Sequence, residues 1–297
     1  MSATATAITR SSNTSFYYSF SLLPRREREA IHTVYAFCRT TDDIVDEERD
    51  ERKKTVMLRR WRMELGKAIR GTSSSPLLNQ LSATANAFHI PVEHFYELIR
   101  GMEMDLHKTR YETFAELKDY CYLVASSVGL MCRKIFGYKN ESTHEYAVNL
   151  GIALQLTNIL RDLQDDAKRG RIYLPLEDMR RFGYTEDDLL HSRYTPAFVE
   201  LMRFECRRAS MYFDLARAAL KDEDKRYFFA ARIMWSIYAH TLNRIIASDY
   251  NVFERRISIP KFLKVLIAFR YWLSHNLKYS WLKRGPWWQR PSTANPS

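Results

Sequence analysis

The sequence predicts an all-α protein, and two observations support that prediction. Glycine and proline number only nine each in 297 residues, below their usual shares of about 7% and about 5%, so tight turns are few and long helices are favoured. Apolar residues also recur with helical spacing in residues 31–46 and 148–166, the two segments that contain closely spaced aspartates. No internal repeat or composition break divides the chain, so we expect a single helical domain.

The two ends of the chain differ in composition from its body. Residues 1–14 are rich in serine and threonine, which predicts a flexible N-terminus, a main domain over 15–260 and a basic aromatic tail over 261–297. The first residues lack the apolar core of a signal peptide, and no apolar run reaches the length of a membrane span, so we expect a cytoplasmic protein. The four cysteines form no C-x-x-C pair and are expected to be small apolar side chains.

The first acidic segment reads TTDDIVDEE (40–48) and continues an apolar helix. The apolar stripe of that helix consists of Ile31, Val34, Tyr35 and Cys38. At about 100° per residue, Asp42 and Asp46 fall on or beside the stripe. An ionised carboxylate on an apolar face is costly, so these acids either pair with nearby arginines at a helix end or line a wet cavity that binds cations.

A second helix repeats this arrangement in NLGIALQLTNILRDLQDDAKRGRIYLP (149–175). One face carries Val148, Ile152, Gln155, Asn158, Ile159, Asp162 and Asp166. Two acids again lie four residues apart on a mostly apolar stripe, now preceded by an amide. Gly170 and Pro175 indicate where the regular helix stops. The repetition favours cation binding over ordinary ion pairing.

Two D-x-x-x-D patterns on separate helices suit Mg²⁺ that bridges to a diphosphate. Mg²⁺ prefers octahedral oxygen coordination and takes one or two carboxylates, while waters and phosphate oxygens supply the rest. Asn158 can add a neutral oxygen, and Arg39, Arg161 and Arg171 can hold phosphate oxygens through charge-assisted hydrogen bonds. Mn²⁺ is a second candidate for the metal.

An apolar cavity with magnesium diphosphate at its rim is the chemistry of an isoprenoid enzyme. The metal withdraws charge from the leaving diphosphate, and a dry aromatic wall protects the allylic cation from water. The sequence contains no P-loop, no G-x-G-x-x-G motif and no nucleophile elbow that would indicate another chemistry.

Three segments together resemble the squalene/phytoene synthase family, the head-to-head prenyl synthases. They are SFYYSFSLLPRREREAIHTVYAFCRTTDDIVDE (15–47), YCYLVASSVGLMCRKIFG (120–137) and LQLTNILRDLQDDAKRGRIYLP (154–175). The resemblance extends from Ser15 to Lys261 and implies an isoprenoid-synthase fold, a single helical domain around a central cavity with the two aspartate motifs facing each other across its mouth. It also implies that one of two bound prenyl diphosphates ionises and that the double bond of the other attacks the resulting cation.

The resemblance assigns roles residue by residue. The implied metal ligands are Asp42, Asp43, Asp46, Asn158, Asp162 and Asp166. The implied substrate-binding residues, with Arg171 added for its charge, are Ser15, Phe16, Tyr35, Arg39, Gln155, Arg161, Arg171, Tyr238 and Arg255. Tyr120 matches a catalytic tyrosine near the reacting carbons, although most of the 18 tyrosines must be structural. The methionines and the aspartate of GMEMDLHKTRYET (101–113) receive no catalytic role.

The motif contexts look most like the bacterial branch of the family. They predict that two farnesyl diphosphates are joined to presqualene diphosphate, with squalene as the end product if NADPH binds. The alternative is phytoene made from two geranylgeranyl diphosphates, which needs no reductant. A single-substrate terpene cyclase and an inactive membrane-associated helical scaffold are further alternatives, disfavoured by the motif contexts and by the two intact acidic motifs.

The C-terminal tail is strongly basic within a chain of formal net charge +11. Residues 261–290 contain seven lysines or arginines, four tryptophans and no acid. The interleaved apolar residues favour an anionic membrane surface over nucleic acid as a partner. Two interpretations stay open, a helix packed on the body and a peripheral membrane anchor.

Overall fold

The computed structural model describes residues 20, 23–46 and 50–283, with side chains described as far as residue 273. Its helices are α1 (Arg25–Asp46), α2 (Glu51–Ile69), α3 (Pro76–Phe88), α4 (Glu93–His107), α5 (Phe114–Cys121), a π-helical turn (Tyr122–Ser126), α6 (Ser127–Phe136), α7 (Thr143–Lys168), α8 (Leu176–Arg181), α9 (Glu186–Leu190), α10 (Pro196–Ala219), α11 (Phe229–Ala247) and α12 (Lys261–Lys283). Within these described ranges no β-strand forms, and one isolated parallel bridge links Arg110 to Ile172. The all-α prediction is confirmed.

Several helices begin at residues whose side chains or rings suit that position. The Asp50 carboxylate accepts hydrogen bonds from the backbone N–H groups of Arg52 and Lys53 at the start of α2. Helices α3 and α10 each begin at a proline that follows a capping hydroxyl residue, Ser75 and Thr195 respectively. Proline suits the first helical position because the N–H group that it lacks has no partner within the helix.

Helix α7 lies at the centre of the fold and packs against α10, α11, α6 and the π-helical turn. It approaches the turn very closely at Gly151, where an added Cβ would lie 2.6 Å from both the backbone N and the Cα of Ser126. Only a glycine permits that approach, because the atoms that a side chain would meet belong to the backbone. The closeness fixes the second acidic motif relative to α5 and α6.

The π-helical turn joins α5 to α6 within the small-residue stretch VASSVG. Ser126 Oγ donates a hydrogen bond of 2.8 Å to the carbonyl oxygen of Val148, and an added Cβ at Gly129 would lie 2.8 Å from the carbonyl oxygen of Ala147. The small side chains therefore serve close packing on α7. Single π-helical turns inside helices are frequent at functional sites.

The described part of the basic tail, Lys261–Lys283, forms α12, which packs on α11 and buries Ile267 and Ala268. This packing agrees with one of the two predicted interpretations, a helix packed on the body of the protein. None of the helices in the described part of the chain combines the length and the apolar character that crossing a membrane requires.

Candidate active site between two acidic helices

Helix α1 presents the first acidic motif in its last two turns. Arg39 pairs with two of the acids, Nη1 lying 3.6 Å from Asp42 Oδ2 and Nη2 lying 2.5 Å from Asp43 Oδ1. Burial, and then repulsion from Asp46, raises the pKa of Asp42 to about 6. The predicted helical stripe therefore places Asp42 at a partly desolvated edge, where a nearby cation favours its ionised form.

Helix α7 presents the second motif. Arg161 Nε donates to Asp162 Oδ1 at 2.9 Å, and Arg256 Nη2 lies 3.5 Å from the same oxygen. Burial, and then repulsion from Asp162, raises the pKa of Asp166 to about 7. Both motifs thus contain one acid whose ionised form is disfavoured in the absence of a further cation.

The two motifs border one region. Asp46 at the end of α1 lies 3.5 Å from Arg171 Nη1 and 3.6 Å from Arg169 Nη1, and both arginines belong to the segment that leaves α7. Asp46 therefore contacts the chain only a few residues beyond Asp166. The facing arrangement that the resemblance implied is consistent with these contacts.

The donor atoms fit a magnesium ion that arrives with a diphosphate. Among the described residues, no three His, Cys, Asp or Glu side chains lie together as a preformed metal site. The acids of the two motifs form ion pairs with arginines instead. Mg²⁺ commonly takes only one or two protein carboxylates and completes its shell with waters and phosphate oxygens. Asn158 Oδ1 is buried and accepts no hydrogen bond from the described part of the protein, so it is an oxygen available to such an ion.

Positive charge surrounds the carboxylates. The cationic side chains near the two motifs are Arg39, Arg161, Arg169, Arg171, Arg256 and Lys264. Lys264 comes from α12, and its pKa is lowered by burial and then by the charge of Arg161. When a metal ion coordinates the carboxylates, these cations can bind the several negative charges of a diphosphate.

The other expected substrate-binding residues differ in their burial and in their contacts with the two motifs. Tyr238 on α11 is buried beside Asn158 and Arg161. Gln155 Oε1 accepts a hydrogen bond from Asn158 Nδ2 at 3.5 Å. Tyr35 is half-buried on α1, four residues before Arg39. Ser15 and Phe16 lie outside the described residues. Arg255 is exposed, and it is the neighbouring Arg256 that pairs with the second motif.

Tyr120 belongs to a buried cluster that sequence reasoning did not foresee. Its hydroxyl donates to Asp105 Oδ2 at 2.9 Å, and the Tyr173 hydroxyl donates to Asp105 Oδ1 at 2.9 Å. The Tyr120 and Tyr173 rings stack with centroids 5.3 Å apart, and Tyr111 lies 5.5 Å from Tyr120. Asp105 is close enough to both acidic motifs to contribute to the raised pKa values of Asp42 and Asp166.

A short extended segment brings these residues together. The N–H of Ile172 donates to the carbonyl of Thr109 at 2.9 Å, and the N–H of Leu176 donates to the carbonyl of Tyr111 at 2.9 Å. Alternate side chains of an extended chain point the same way, so Arg171 and Tyr173 share one side while Ile172 is buried on the other. The segment therefore carries an arginine to the acids and a tyrosine to Asp105.

Comparison with known proteins identifies the family. The family model for squalene/phytoene synthase matches residues 9–262. The phytoene synthase of Arthrospira platensis is 37% identical over 267 residues, with 84% of this chain and 85% of that protein covered. The 15-cis-phytoene synthase of Synechocystis sp. (strain ATCC 27184 / PCC 6803 / Kazusa) is 37% identical over 272 residues, with 87% and 80% covered.

A solved structure extends the likeness to the fold. The crystal structure of a dehydrosqualene synthase in complex with ligand superposes with a TM-score of 0.80 at 29% identity, with 95% of this chain and 96% of that chain covered. The fold is that of the isoprenoid synthases, and the family uses a divalent metal to bind diphosphate. The chain therefore belongs to the squalene/phytoene synthase family of prenyltransferases.

Proposed function

We propose that this protein joins two molecules of geranylgeranyl diphosphate head to head, with Mg²⁺, to make phytoene. The observation that supports this donor is the 37% identity, over most of both chains, to two proteins named as phytoene synthases. The relatives thus favour the alternative over farnesyl diphosphate, which the motif contexts had put first. Farnesyl diphosphate is the second candidate, because the similar solved structure is a dehydrosqualene synthase.

The ion pairs of the two motifs suggest how the site binds its substrate. Arg39 and Arg171 pair with carboxylates of the first motif, and Arg161 pairs with Asp162 of the second. Acids of both motifs and Asn158 would hold Mg²⁺, which would draw electrons toward the departing diphosphate. The arginines that pair with these acids would then donate hydrogen bonds to the phosphate oxygens.

The buried tyrosines serve the other half of the reaction. Tyr111, Tyr120 and Tyr173 form an aromatic cluster with little exposure to water. Aromatic faces stabilise a nearby cation, and a dry surround prevents its premature capture by water. Tyr120 acts beside the allylic cation or its departing proton and takes no part in diphosphate binding.

Product analysis tests the choice of donor. The protein is incubated with the C15 or the C20 diphosphate and Mg²⁺, with and without NADPH, and the extract is examined by mass spectrometry. A C40 hydrocarbon from the C20 donor, formed without NADPH, is expected because the final cation loses a proton. A C30 product from the C15 donor alone would transfer the proposal to the second candidate, and a cyclic C15 product would indicate a terpene cyclase.

We also propose that α12 rests on an anionic membrane surface. Its unburied side carries large apolar side chains between basic residues, and Phe262 is 72% exposed, Leu266 57% and Phe269 53%. Exposed apolar side chains beside lysine and arginine suit the interface of an anionic bilayer. A surface position would also suit an enzyme with a hydrocarbon product.

Vesicle sedimentation tests this placement. We expect the protein to bind vesicles that contain phosphatidylglycerol, and to bind them more strongly at low than at high salt. It should not bind vesicles made only of phosphatidylcholine. Replacing Phe262, Leu266 and Phe269 by serine should abolish binding. The matched control replaces Val56 and Met63, exposed apolar residues of α2, and should bind as the wild type does. Equal binding by all three proteins would contradict the proposal.

A further inference from the structure

We propose that Asp105 is a positioning residue for Tyr120: it accepts the hydrogen bond that the Tyr120 hydroxyl donates, and so leaves the lone pairs of that oxygen available to the reacting carbons. The inference rests on the proposed function, since it assigns a role within the same prenyl transfer. It concerns a residue to which the sequence motifs assign nothing.

The hydrogen bonds determine what each group can do. Each oxygen of Asp105 accepts one hydrogen bond from a tyrosine hydroxyl: Oδ2 accepts from Tyr120 and Oδ1 from Tyr173, both at 2.9 Å. An ionised carboxylate only accepts, and a phenol has a single proton to donate. The hydroxyl proton of Tyr120 therefore points at Asp105. The Tyr120 oxygen can then interact with the substrate only as an electron-rich acceptor. That is the character required beside a cation and the wrong one for binding a diphosphate oxygen.

Three separate elements meet at this carboxylate. Asp105 comes from α4, Tyr120 from α5 and Tyr173 from the segment after α7. The rings of Tyr120 and Tyr173 stack at 5.3 Å, so the pair is held as a unit. The segment that provides Tyr173 also provides Arg171, which contacts Asp46 of the first motif. Arg171, on the diphosphate side, and Tyr173, in the tyrosine pair, are thus only two residues apart in the chain.

A merely structural role accounts poorly for an acid at this position. Asp105 is 8% exposed, and Tyr120 and Tyr173 are 3% and 6% exposed. Burying a carboxylate costs free energy, and an apolar side chain of similar volume is often as stabilising. The charges of Asp42, Asp46 and Asp166 also disfavour ionised Asp105, and Arg171 is the cation that favours it. An acid kept under these conditions indicates a use beyond packing.

The variant Asp105→Asn tests the inference with little change in shape. The amide offers one acceptor oxygen in place of two, and its N–H groups must donate, so one phenol has to turn its proton elsewhere. We expect kcat to fall about tenfold or more while KM changes by less than about threefold, as for a group that acts in the transition state. Glu103→Gln, on the same helix and paired with Arg62 at the surface, is the matched control and should keep wild-type turnover.

A double substitution separates positioning from an independent effect. If Asp105 acts through Tyr120, adding Asp105→Asn to Tyr120→Phe should lower kcat by less than about threefold more. Mg²⁺-dependent binding of a thiolodiphosphate analogue, which cannot ionise, should be the same in all variants. Tyr173→Phe, which leaves Asp105 in place, provides a second test if Asp105→Asn does not fold. It should lower kcat several-fold, and this loss should vanish in the Tyr120→Phe background.

The outcomes distinguish this inference from the proposed function. A wild type that releases no diphosphate from the C15 or the C20 donor overturns both. An active wild type whose Asp105→Asn variant keeps its kcat, or loses analogue affinity instead, overturns the positioning role alone. Equal losses in the wild-type and Tyr120→Phe backgrounds would also overturn it.

Discussion

Asp46 Oδ1 lies 3.5 Å from Arg171 Nη1, although 125 positions separate the two residues in the chain. The contact joins the end of the first acidic helix to the segment that follows the second. Each acidic motif thus forms ion pairs with arginine. The proposed function predicts an exchange of partners when magnesium diphosphate binds: the acids would coordinate the metal, and the arginines would bind the phosphate.

Asp166→Asn should have opposite effects on stability and on activity. The substitution removes a charge that burial and Asp162 disfavour, so the metal-free protein should unfold at a higher temperature. Turnover should fall by orders of magnitude because a proposed metal ligand is lost. Thermal unfolding without metal and product formation with Mg²⁺ measure the two effects. Asp165→Asn, at the exposed neighbouring position, is the control, and near-normal turnover of Asp166→Asn would contradict the prediction.

Arg171→Gln should weaken substrate binding more than it slows the reaction. A charge-assisted hydrogen bond contributes about 1.5–3 kcal/mol, so KM for the prenyl diphosphate should rise about tenfold or more. Steady-state kinetics with Mg²⁺ at saturation check this expectation. Arg217→Gln removes an exposed arginine that pairs with Asp214 on α10 and should change nothing. The assignment fails if KM is unaltered in both variants.

Gly151→Ala should destabilise the protein, because its Cβ would meet the backbone of Ser126 at 2.6 Å. Forcing extra volume into a packed core costs about 1–3 kcal/mol, and activity should fall as α7 moves away from the π-helical turn. Gly66→Ala on α2 has its nearest contact at 3.4 Å, from the Tyr96 hydroxyl, and should be neutral or gain up to about 1 kcal/mol from helix propensity. Denaturant unfolding of both variants measures the difference, and equal stabilities would refute the close-packing account.

Glu205→Gln should flatten the pH dependence of stability. Burial raises the pKa of Glu205 to about 8 from an ordinary 4.5, while Arg208 lowers it and Asp178 raises it. Between those values the folded protein keeps a proton that the unfolded chain has lost, so this group makes the free energy of unfolding fall as pH rises. The amide retains the neutral shape without titrating. Denaturant unfolding at about pH 5.5 and about pH 8 measures the slope, and an unchanged slope would contradict the prediction.

Local spacing explains which parts of the site the sequence could predict. Asp42 and Asp46 share a helical stripe, as do Asp162 and Asp166, and a single helix fixes both relationships. The same reasoning applied to α4 would have found Asp105, since Leu98, Met102 and Asp105 share its buried face. In GMEMDLHKTRYET the methionines at helical spacing are typical of a helix core, so the sequence alone predicts no catalytic role for Asp105.

Other features depend on contacts between elements that are distant in the chain. Tyr173 reaches Asp105 because the backbone of residue 172 is hydrogen bonded to that of residue 109. No periodicity in the sequence predicts this pairing. The choice between Arg255 and Arg256 depends on the conformation of an irregular loop after α11. The length of the accepted prenyl chain depends on side chains that several helices contribute together, and the first expectation of a C15 donor came from motif contexts that do not report on those side chains.

The central claim is that the two acidic helices bind one magnesium diphosphate jointly, and calorimetry tests it directly. A thiolodiphosphate analogue of the C20 donor is titrated into the wild type, Asp46→Asn, Asp162→Asn and the exposed control Asp165→Asn, with and without Mg²⁺. The account predicts tight binding only with Mg²⁺, at least tenfold weaker binding when either motif is altered, and no effect of the control. Binding that needs no divalent metal, or that survives the loss of either motif, would contradict it.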